Sequence, residues 1–152
     1  MALVANSSVW AQFDTLRFER YTTLEGLSDN VENSITQDEE GYIWIGTVNG
    51  LNRFDGTEFK NHYQGQKPLF LPGNYIFKNK KLRDKSIGIV TRKGFQKINT
   101  KTFLSETFAL KDTTVFYTYL NDFFDAIELS DGRIAVTSRT GFYVFNQNRT
   151  LD

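Results

Sequence analysis

The sequence predicts an all-β fold, a partial β-propeller of about three four-stranded antiparallel blades. One pattern of apolar residues followed by glycine occurs three times, and its glycines, Gly50, Gly94 and Gly141, are 44 and 47 residues apart. A period of about 40 to 50 residues is typical of propeller blades, each of which contains four strands. The apolar runs are short and lie between turn residues, which also indicates a sheet protein.

The composition supports a β-rich core and excludes several function classes. The 152 residues are 39% hydrophobic and 15% aromatic, and aromatic side chains favour pleated, half-buried surfaces. Basic and acidic residues number 18 each, so no overall charge attracts nucleic acid or an anionic membrane. The sequence has no cysteine and no apolar run of about 18 residues, so we expect no disulfide, no cysteine-based zinc site and no direct membrane insertion.

Residues 1–11 resemble the end of a secretory signal peptide. Val9 and Ala11 have the small side chains expected before a cleavage point at Gln12. An ordinary tail is the alternative, because the positively charged start of a signal peptide is missing. We therefore divide the chain into a signal-peptide remnant, 1–11, and an incomplete propeller, 12–152.

Equivalent positions of the three repeats carry the same kinds of residue without a gap. Branched aliphatic residues recur at two core-facing positions of one strand, and a hydroxyl residue follows them. After the glycine, two large apolar positions lead to an Asp or Asn that ends the next strand. The sets are Ile43, Ile87 and Ile134; Ile45, Ile89 and Val136; Thr47, Thr91 and Ser138; Leu51, Phe95 and Phe142; Phe54, Ile98 and Phe145; Asp55, Asn99 and Asn146.

The first repeat predicts the order of strands in a blade. From the inner to the outer strand these are Ser34–Asp38, Tyr42–Thr47, Leu51–Phe54 and Glu58–Tyr63. The three blades cover about residues 34–63, 74–108 and 123–152. Segment 16–21 resembles the outer strand and would complete the last blade of a full ring. Because rings need about four blades or more, we expect a fragment, or a chain whose open ends pair with another copy.

Turns and neighbouring blades explain the remaining pattern. The tripeptides that end in Gly50, Gly94 and Gly141 are predicted hairpin turns, where glycine adopts a positive φ, and Asp55-Gly56 opens the next hairpin. The strand around Trp44 is nearly all apolar, which is typical of a strand covered on both faces. We therefore expect Trp44 and Gly46 to face an adjacent blade, rather than Trp44 to serve as a sugar-stacking platform.

The first repeat resembles the two-component-regulator propeller repeat. The matching residues are Gly26-Leu27-Ser28, Ile35, Asp38, Gly41, Trp44, Gly46, Thr47, Gly50-Leu51, Arg53-Phe54 and Asp55-Gly56. The later repeats have Gly88 and Ala135 where the first has Trp44, so they match in period more than in sequence. The resemblance implies the periplasmic sensor region of a hybrid two-component system, many of which control polysaccharide utilisation, with downstream sensor and kinase domains as partners.

The residues that could be catalytic or bind a metal or phosphate favour a scaffold over an enzyme. His62 is the single histidine, so a catalytic triad and a histidine metal site are not available, and we expect a surface side chain. Asp38, Glu39 and Glu40 suggest calcium or a glycosidase pair, but a solvated turn is favoured. The basic residues Lys78, Lys80, Lys81, Arg83 and Lys85 are likewise assigned to a solvated turn and not to a phosphate patch.

Possible ligand contacts are expected at the mouth of the central channel, because loops on a rigid scaffold usually carry binding. The candidate loops are Thr22–Asn33 and Thr113–Asp122, and Asp122, Asp125 and Glu128 are candidates to face the channel. A structural turn role for Gly26-Leu27-Ser28 is the alternative for the first loop. No individual ligand-binding, catalytic, metal or cofactor residue is assigned.

We therefore expect a non-enzymatic, periplasmic ligand-sensing propeller that binds an oligosaccharide-type ligand and has no cofactor. The alternative is a structural or protein-interaction propeller that forms homo-oligomers through its open blade edges, since unpaired strand edges invite pairing. A propeller lyase or hydrolase is the third hypothesis, and it lacks a second histidine or a convincing carboxylate pair.

Overall fold

The computed structural model describes residues 17–110 and 122–146. These residues form eleven short strands and one 3-10 helix, Thr23–Glu25. The strands are β1 (Glu32–Gln37), β2 (Ile43–Thr47), β3 (Gly50–Phe54), β4 (Phe59–His62), β5 (Ile76–Lys81), β6 (Ile87–Thr91), β7 (Gly94–Ile98), β8 (Ser105–Phe108), β9 (Phe123–Glu128), β10 (Ile134–Ser138) and β11 (Gly141–Phe145).

Consecutive strands pair in antiparallel fashion and form three separate sheets. The first sheet has the order β1-β2-β3-β4, the second β5-β6-β7-β8 and the third β9-β10-β11. The all-β fold and its blade-like meanders are confirmed. The predicted fourth strand of the third blade, in 147–152, and the predicted signal-peptide remnant, 1–11, lie outside the described residues.

The hairpins that join the second and third strand of each sheet have one design. Gly50, Gly94 and Gly141 have φ values of 129°, 130° and 151°, which side chains other than hydrogen disfavour. Before the turn, the Thr47 hydroxyl donates to the Gly50 carbonyl at 3.1 Å, and the Thr91 hydroxyl donates to the Gly94 carbonyl at 3.0 Å. The predicted hairpin glycines are therefore confirmed, and the recurring hydroxyl residue closes the turn.

The turn at Asp55-Gly56 is also confirmed. Gly56 has a φ of 101°, and Asp55 Oδ1 accepts the backbone N–H groups of Thr57 and Glu58, both at 2.8 Å. In the second repeat Asn99 Oδ1 accepts two backbone N–H groups in the same way. A short polar side chain that bonds to the backbone two residues ahead fixes such turns, which explains why Asp and Asn recur there.

Two apolar interfaces hold the three sheets in a stack. The first interface joins the first and second sheets around Trp44, Leu51, Leu69, Leu71, Ile76, Ile87, Ile89 and Ile98. The second interface joins the second and third sheets around Leu82, Val90, Phe95, Phe108, Phe123, Ala126, Ile134, Val136 and Phe145. The second sheet is thus covered on both faces, as expected for a middle blade.

Trp44 and Gly46 lie on the face that meets the next sheet, as predicted. Trp44 is 1% exposed, and a Cβ atom on Gly46 would lie 2.5 Å from Ile76 Cγ2. Two asparagines join the sheets further: Asn33 Nδ2 donates to the Ile76 carbonyl at 2.8 Å, and Asn79 Nδ2 donates to the Trp44 carbonyl at 3.0 Å. Glycine at position 46 therefore permits the close approach of β5.

The core-facing prediction for the branched residues holds in two sheets and fails in the first. Ile89 and Val136 are 0% and 1% exposed, whereas Ile43 and Ile45 are half-buried. Ile35, on the same face as Ile45, is 69% exposed. The reason is that no strand of the described part of the chain covers this face of the first sheet.

The segment predicted as an orphan outer strand has no strand pairing in the structure. Residues 17–22 are not part of any sheet, and Leu16 lies outside the described residues. Tyr21 instead packs its ring on Phe54 and Phe59, with centroids 4.8 Å and 5.8 Å apart. A strand needs a hydrogen-bonded neighbour, and its pairing in the last blade of a complete ring stays a prediction.

None of the helices found in residues 17–110 and 122–146 has the length and apolar character that crossing a membrane requires.

Candidate functional site

His62 is buried, so its predicted place on the surface is wrong. It is 3% exposed, and its ring lies 5.8 Å from the Trp44 ring and 5.7 Å from the Phe103 ring. The cause is the strand register: His62 lies directly opposite Leu51, and opposed residues of neighbouring strands share a face of the sheet. The imidazole therefore belongs to the first interface and not to a solvent-exposed site.

Burial lowers the pKa of His62 to about 4, and the nearby charges of Arg53 and Lys60 act in the same direction. The unfolded chain takes up this proton more readily than the folded chain does. Stability therefore falls as the pH falls from about 6.5 to about 4, by at most about 3 kcal/mol from this group.

The replacement His62→Phe tests this dependence, since phenylalanine keeps a ring between Trp44 and Phe103 but cannot titrate. We expect urea denaturation to show a smaller loss of stability between pH 7 and pH 4.5 for the variant than for the unsubstituted chain. Equal losses in the two proteins would contradict the assignment.

Asp38 is also buried, so it is not the solvated turn residue that the sequence suggested. Its side chain is the hydrogen-bond acceptor for the Trp44 indole, with Oδ2 2.8 Å from Nε1. Its Oδ1 accepts the backbone N–H groups of Glu40 at 3.0 Å and Tyr42 at 2.9 Å. The carboxylate therefore fixes both the turn and the central tryptophan of the first interface.

Glu39 and Glu40 line a cleft of about 180 Å³ between the first and second sheets. Glu39 pairs with Lys81 and, at 3.5 Å, with Lys85, while Glu40 pairs with Lys101 at 2.7 Å. Hydrogen bonds from Lys81 and Lys101 lower the pKa values of the two carboxyl groups. Each carboxylate thus has a lysine partner on the second sheet, an arrangement that connects the sheets rather than forming an acid and base pair.

The predicted basic turn is mostly a strand. Lys78, Lys80 and Lys81 lie on β5, and only Arg83 and Lys85 fall in the turn that follows. The ammonium groups of Lys80, Lys81 and Lys85 contact carboxylates of neighbouring sheets, as in the 2.9 Å pair between Lys80 and Asp125. Because the pattern of alternating lysines was assigned to a turn, the pairing with adjacent blades was not expected.

Two of the three acidic residues expected to face the channel also connect sheets. Asp125 pairs with Lys80, and Glu128 accepts the backbone N–H of Arg83 at 2.9 Å. The Arg83 guanidinium donates in turn to the Ser130 carbonyl at 2.9 Å. Asp125 and Glu128 are therefore engaged at the second interface, and Asp122 has a different setting.

Asp122 belongs to an arginine and aromatic cluster at the end of the sheets where the inner strands begin. We call this set the arginine–aromatic cluster. Its members are Tyr75, Phe77, Arg92, Asp122, Phe124 and Arg139.

The repeat places these side chains together. Ile76 pairs with Thr91, and Phe123 pairs with Ser138, at equivalent points of the second and third sheets. The residues just before the inner strand and just after the second strand are therefore Tyr75 and Arg92 in one repeat, and Asp122 and Arg139 in the next. In the first repeat the equivalent residues are Val31 and Val48, joined by a 3.1 Å backbone hydrogen bond.

Aromatic rings support the guanidinium groups of the cluster. Arg92 Cζ lies 4.5 Å from the Tyr75 ring centroid and 5.9 Å from that of Phe77. Arg139 Cζ lies 5.9 Å from the centroid of Phe124. The Phe77 and Phe124 rings meet edge to face at 5.4 Å, so the second and third sheets share one aromatic surface.

The Asp122 carboxylate lies between the two arginines. Its Oδ1 is 3.8 Å from Arg92 Nε, and its Oδ2 is 3.4 Å from an Nη of Arg139. The arginine side chains are 59% and 60% exposed, whereas that of Asp122 is 5% exposed. A buried carboxylate thus orients two solvent-facing guanidinium groups, which are donors suited to carboxylate or sulfate oxygens.

The structure describes the first of the two predicted ligand loops, but only one residue of the second. In the first, Leu27 is buried, the Ser28 N–H donates to Asn52 Oδ1 at 2.8 Å, and the Ser28 and Thr47 hydroxyls are 2.9 Å apart. These contacts support the structural alternative for Gly26-Leu27-Ser28. Of the second loop, Thr113–Asp122, only Asp122 lies within the described residues, and it is a member of the cluster.

Arg92 and Arg139 were not identified as site residues from the sequence. A signal was present, because both arginines occupy the same hairpin position in the second and third repeats. Their partners were hidden, since Tyr75 and Asp122 differ in chemistry although they are equivalent in position. In residues 17–110 and 122–146 no group of three or more metal-ligating side chains could hold a metal ion.

Comparison with known families confirms the resemblance of the first repeat. Residues 26–49 match the family model described as two component regulator propeller. The matched stretch runs from the Gly26 turn through β1 and β2 to the hairpin before Gly50. It includes the buried Leu27, Asp38 and Trp44, so the matching residues are largely those that build the blade.

A curated relative matches part of the chain. Histidine kinase P4 of Formosa agariphila is 43% identical over 53 residues, which are 35% of this chain and 4% of that protein. The chain therefore spans a small part of the length of this relative.

Solved structures share the fold. The extracellular domain described for a hybrid two component system of B. thetaiotaomicron superimposes with a TM-score of 0.71 at 24% identity, covering 88% of this chain and 19% of that one. Virginiamycin B lyase of Staphylococcus aureus superimposes with a TM-score of 0.60 at 13% identity, covering 84% of this chain and 42% of that one. At these identities the likeness concerns the propeller architecture alone.

Proposed function

We propose that this chain, which carries the two component regulator propeller repeat, is part of a ligand-sensing propeller of a two-component regulatory system. The observation that carries the proposal is the match of residues 26–49 to that repeat. The relative described as a histidine kinase and the neighbour described as an extracellular domain support it. An extracytoplasmic, and specifically periplasmic, location forms part of the proposal.

The proposed role is non-catalytic recognition of an oligosaccharide-type ligand. The arginine–aromatic cluster supports it, because exposed rings and fixed polar groups are a combination that suits sugars, whose rings have apolar faces and polar edges. His62 does not favour an enzyme, since it is packed between aromatic rings and is the single histidine of the sequence.

Signalling requires that the ligand bind one arrangement of the propeller more tightly than another. Downstream sensor and kinase domains of a longer protein would be the receivers of this change. The blades of this chain would act as the rigid frame that presents the cluster.

Titration calorimetry of the full chain against a broad panel of purified oligosaccharides tests the proposal. We expect saturable heat with at least one member of the panel and no cleavage of that sugar, as checked by chromatography. Absence of binding to every sugar would overturn the ligand proposal, and cleavage would replace recognition by catalysis.

A homo-oligomer is the second candidate, and the outer faces of the stack favour it. Ile35 on the first sheet is 69% exposed, and Ile127 and Phe142 on the third sheet are 57% and 65% exposed. Large exposed apolar side chains and open strand edges are features of association surfaces. Sedimentation velocity of the purified chain tests this candidate: a dimer would support it, and a monomer would contradict it.

A further inference from the structure

We infer that two copies of this chain associate head to tail, so that the outer face of the first sheet in one copy packs on the outer face of the third sheet in the other. The inference rests on the homo-oligomer candidate of the proposed function and deepens it by naming the two surfaces that meet. The first surface, which we call the leading face, consists of Ile35, Ile43 and Ile45. The second surface, which we call the trailing face, consists of Ile127, Ala135, Phe142 and Val144.

Both faces present large apolar side chains to water. Ile35 is 69% exposed, and Ile127 and Phe142 are 57% and 65% exposed. In the stack of three sheets, these are the two faces that do not pack on another sheet of the described residues. Their burial against a partner is favourable, because apolar surface is removed from water.

The leading face is the repeat equivalent of a surface that is buried twice within the chain. Ile45 corresponds to Ile89 in the second repeat and to Val136 in the third. Ile89 is 0% exposed in the first interface, and Val136 is 1% exposed in the second. In the second and third sheets this position therefore packs against the preceding sheet.

The trailing face is equivalent to the opposite surface of a sheet. Phe142 corresponds to Leu51 in the first repeat and to Phe95 in the second. Leu51 is 0% exposed in the first interface, and Phe95 is 1% exposed in the second. Both interfaces within the chain thus join a surface of the trailing kind to one of the leading kind. A second copy offers each outer face the kind of surface that its equivalents bind.

Ile35 is the side chain that the trailing face can receive. In the first interface Asn79 donates to the Trp44 carbonyl at 3.0 Å, and Ile35 and Ala135 are the equivalents of these two residues. Alanine is much smaller than tryptophan, and Ala135 lies in a groove of about 260 Å³ on the trailing face. The Ile35 side chain of a second copy would fill this groove.

The charges near the two faces do not oppose the contact. Lys80 and Asp125 lie at the edge of the groove and pair with each other at 2.9 Å. Glu32 lies beside the leading face, at the first position of β1. A long side chain at the end of a strand can keep its carboxylate in water while its neighbours pack.

Two copies provide enough sheets for a closed assembly. Three sheets from each copy make six, and closed propellers typically contain about four to eight blades. A head-to-tail contact gives a ring when its rotation closes. We therefore expect a dimer with two identical contacts, each formed by one leading face and one trailing face.

Sedimentation velocity of the full chain over a range of concentrations measures this association. Ile35→Glu and Phe142→Glu place a charge on the leading and the trailing face, and each should weaken the dimer at least about tenfold, since an unpaired charge is costly to bury. Leu104→Glu is the matched control, because Leu104 is 74% exposed but lies just before β8 in the second sheet, outside both faces. It should leave the dimer unchanged. Circular dichroism and urea denaturation verify that each variant is folded.

A mixture of the two variants tests the head-to-tail geometry. An equimolar mixture of Ile35→Glu and Phe142→Glu contains one intact trailing face and one intact leading face. We expect dimers in the mixture at concentrations at which neither variant associates alone, because one contact of the mixed pair is unaltered. A dimer of two leading faces would instead persist in Phe142→Glu, and a dimer of two trailing faces would persist in Ile35→Glu.

The outcomes separate this inference from the proposed function. A dimer that persists in either variant alone, or a mixture that does not associate, overturns the head-to-tail inference and leaves the homo-oligomer candidate in place. An unsubstituted chain that stays monomeric overturns both.

Discussion

Replacing Trp44 by alanine is expected to lower the free energy of unfolding by about 3 to 5 kcal/mol, the range found when a large buried aromatic residue is truncated. Trp44 is 1% exposed and lies in the first interface. Its removal leaves a cavity between two sheets that are already joined by the hydrogen bond from the Asn79 side chain to the Trp44 carbonyl. The sheets therefore cannot close freely over the space.

The loss also affects a buried charge. Asp38, which is 5% exposed, loses the indole N–H that lies 2.8 Å from its Oδ2. A buried acceptor without its donor costs about 1 to 3 kcal/mol by itself. Trp44→Phe removes the hydrogen bond but keeps a large part of the ring volume, so the further loss in Trp44→Ala measures the effect of the larger cavity.

Urea denaturation followed by far-ultraviolet circular dichroism measures these changes. Phe18→Ala is the control, since Phe18 is 88% exposed and its loss should change stability by less than about 0.5 kcal/mol. A cost for Trp44→Ala as small as that of Phe18→Ala would show that the first interface is not the core of the fold.

Gly94→Ala is the second substitution with a large expected effect, about 3 kcal/mol of lost stability. Gly94 has a φ of 130°, which an L-residue with a side chain rarely adopts. In addition, an added Cβ would lie 2.7 Å from the carbonyl oxygen of Phe108. That oxygen is backbone of the neighbouring strand β8, so relief of the contact requires the sheet to move.

Gly56→Ala is the matched control for the backbone strain. Gly56 also has a positive φ, 101°, but nothing lies within 4 Å of the Cβ that alanine would add. This control should lose only about 1 kcal/mol. Thermal denaturation of both variants measures the two losses of stability. Equal losses would show that the contact with the Phe108 carbonyl does not contribute.

The repeat allowed the blades to be predicted because its signals are local. The hydroxyl residue, the glycine and the Asp or Asn at fixed distances each form hydrogen bonds or turns within a few residues, as Thr91, Gly94 and Asn99 do. Strand order follows from such turns. This explains why the hairpins agree with the prediction while strand ends differ by one or two residues.

The burial of His62 could not be predicted in the same way. Which face of a short outer strand meets the next blade depends on register, and a shift of one residue reverses it. Tyr63 follows His62 directly, so the sequence alone offered no means to choose between the two orientations.

Ion pairs and the arginine–aromatic cluster escaped prediction because they are not local. Glu39 meets Lys81 on the next sheet, and Asp122 meets Arg92 from the preceding repeat. Such partners are found only when the rotation between neighbouring sheets is known. Equivalent positions with different chemistry, such as Tyr75 and Asp122, carry no periodic signal.

The second sheet belongs to both apolar interfaces, and this determines how strongly a substitution in each sheet affects stability. A defect in the first or third sheet weakens one contact layer and leaves the other in place, whereas a defect in β6 reaches both layers at once. Ile89 and Val90 are adjacent in sequence, and each is fully buried in a different layer. Each sheet of this chain is therefore stabilised by contacts with its neighbouring sheets, in the manner of a one-dimensional array. The middle sheet consequently tolerates substitutions less well than the two outer sheets do.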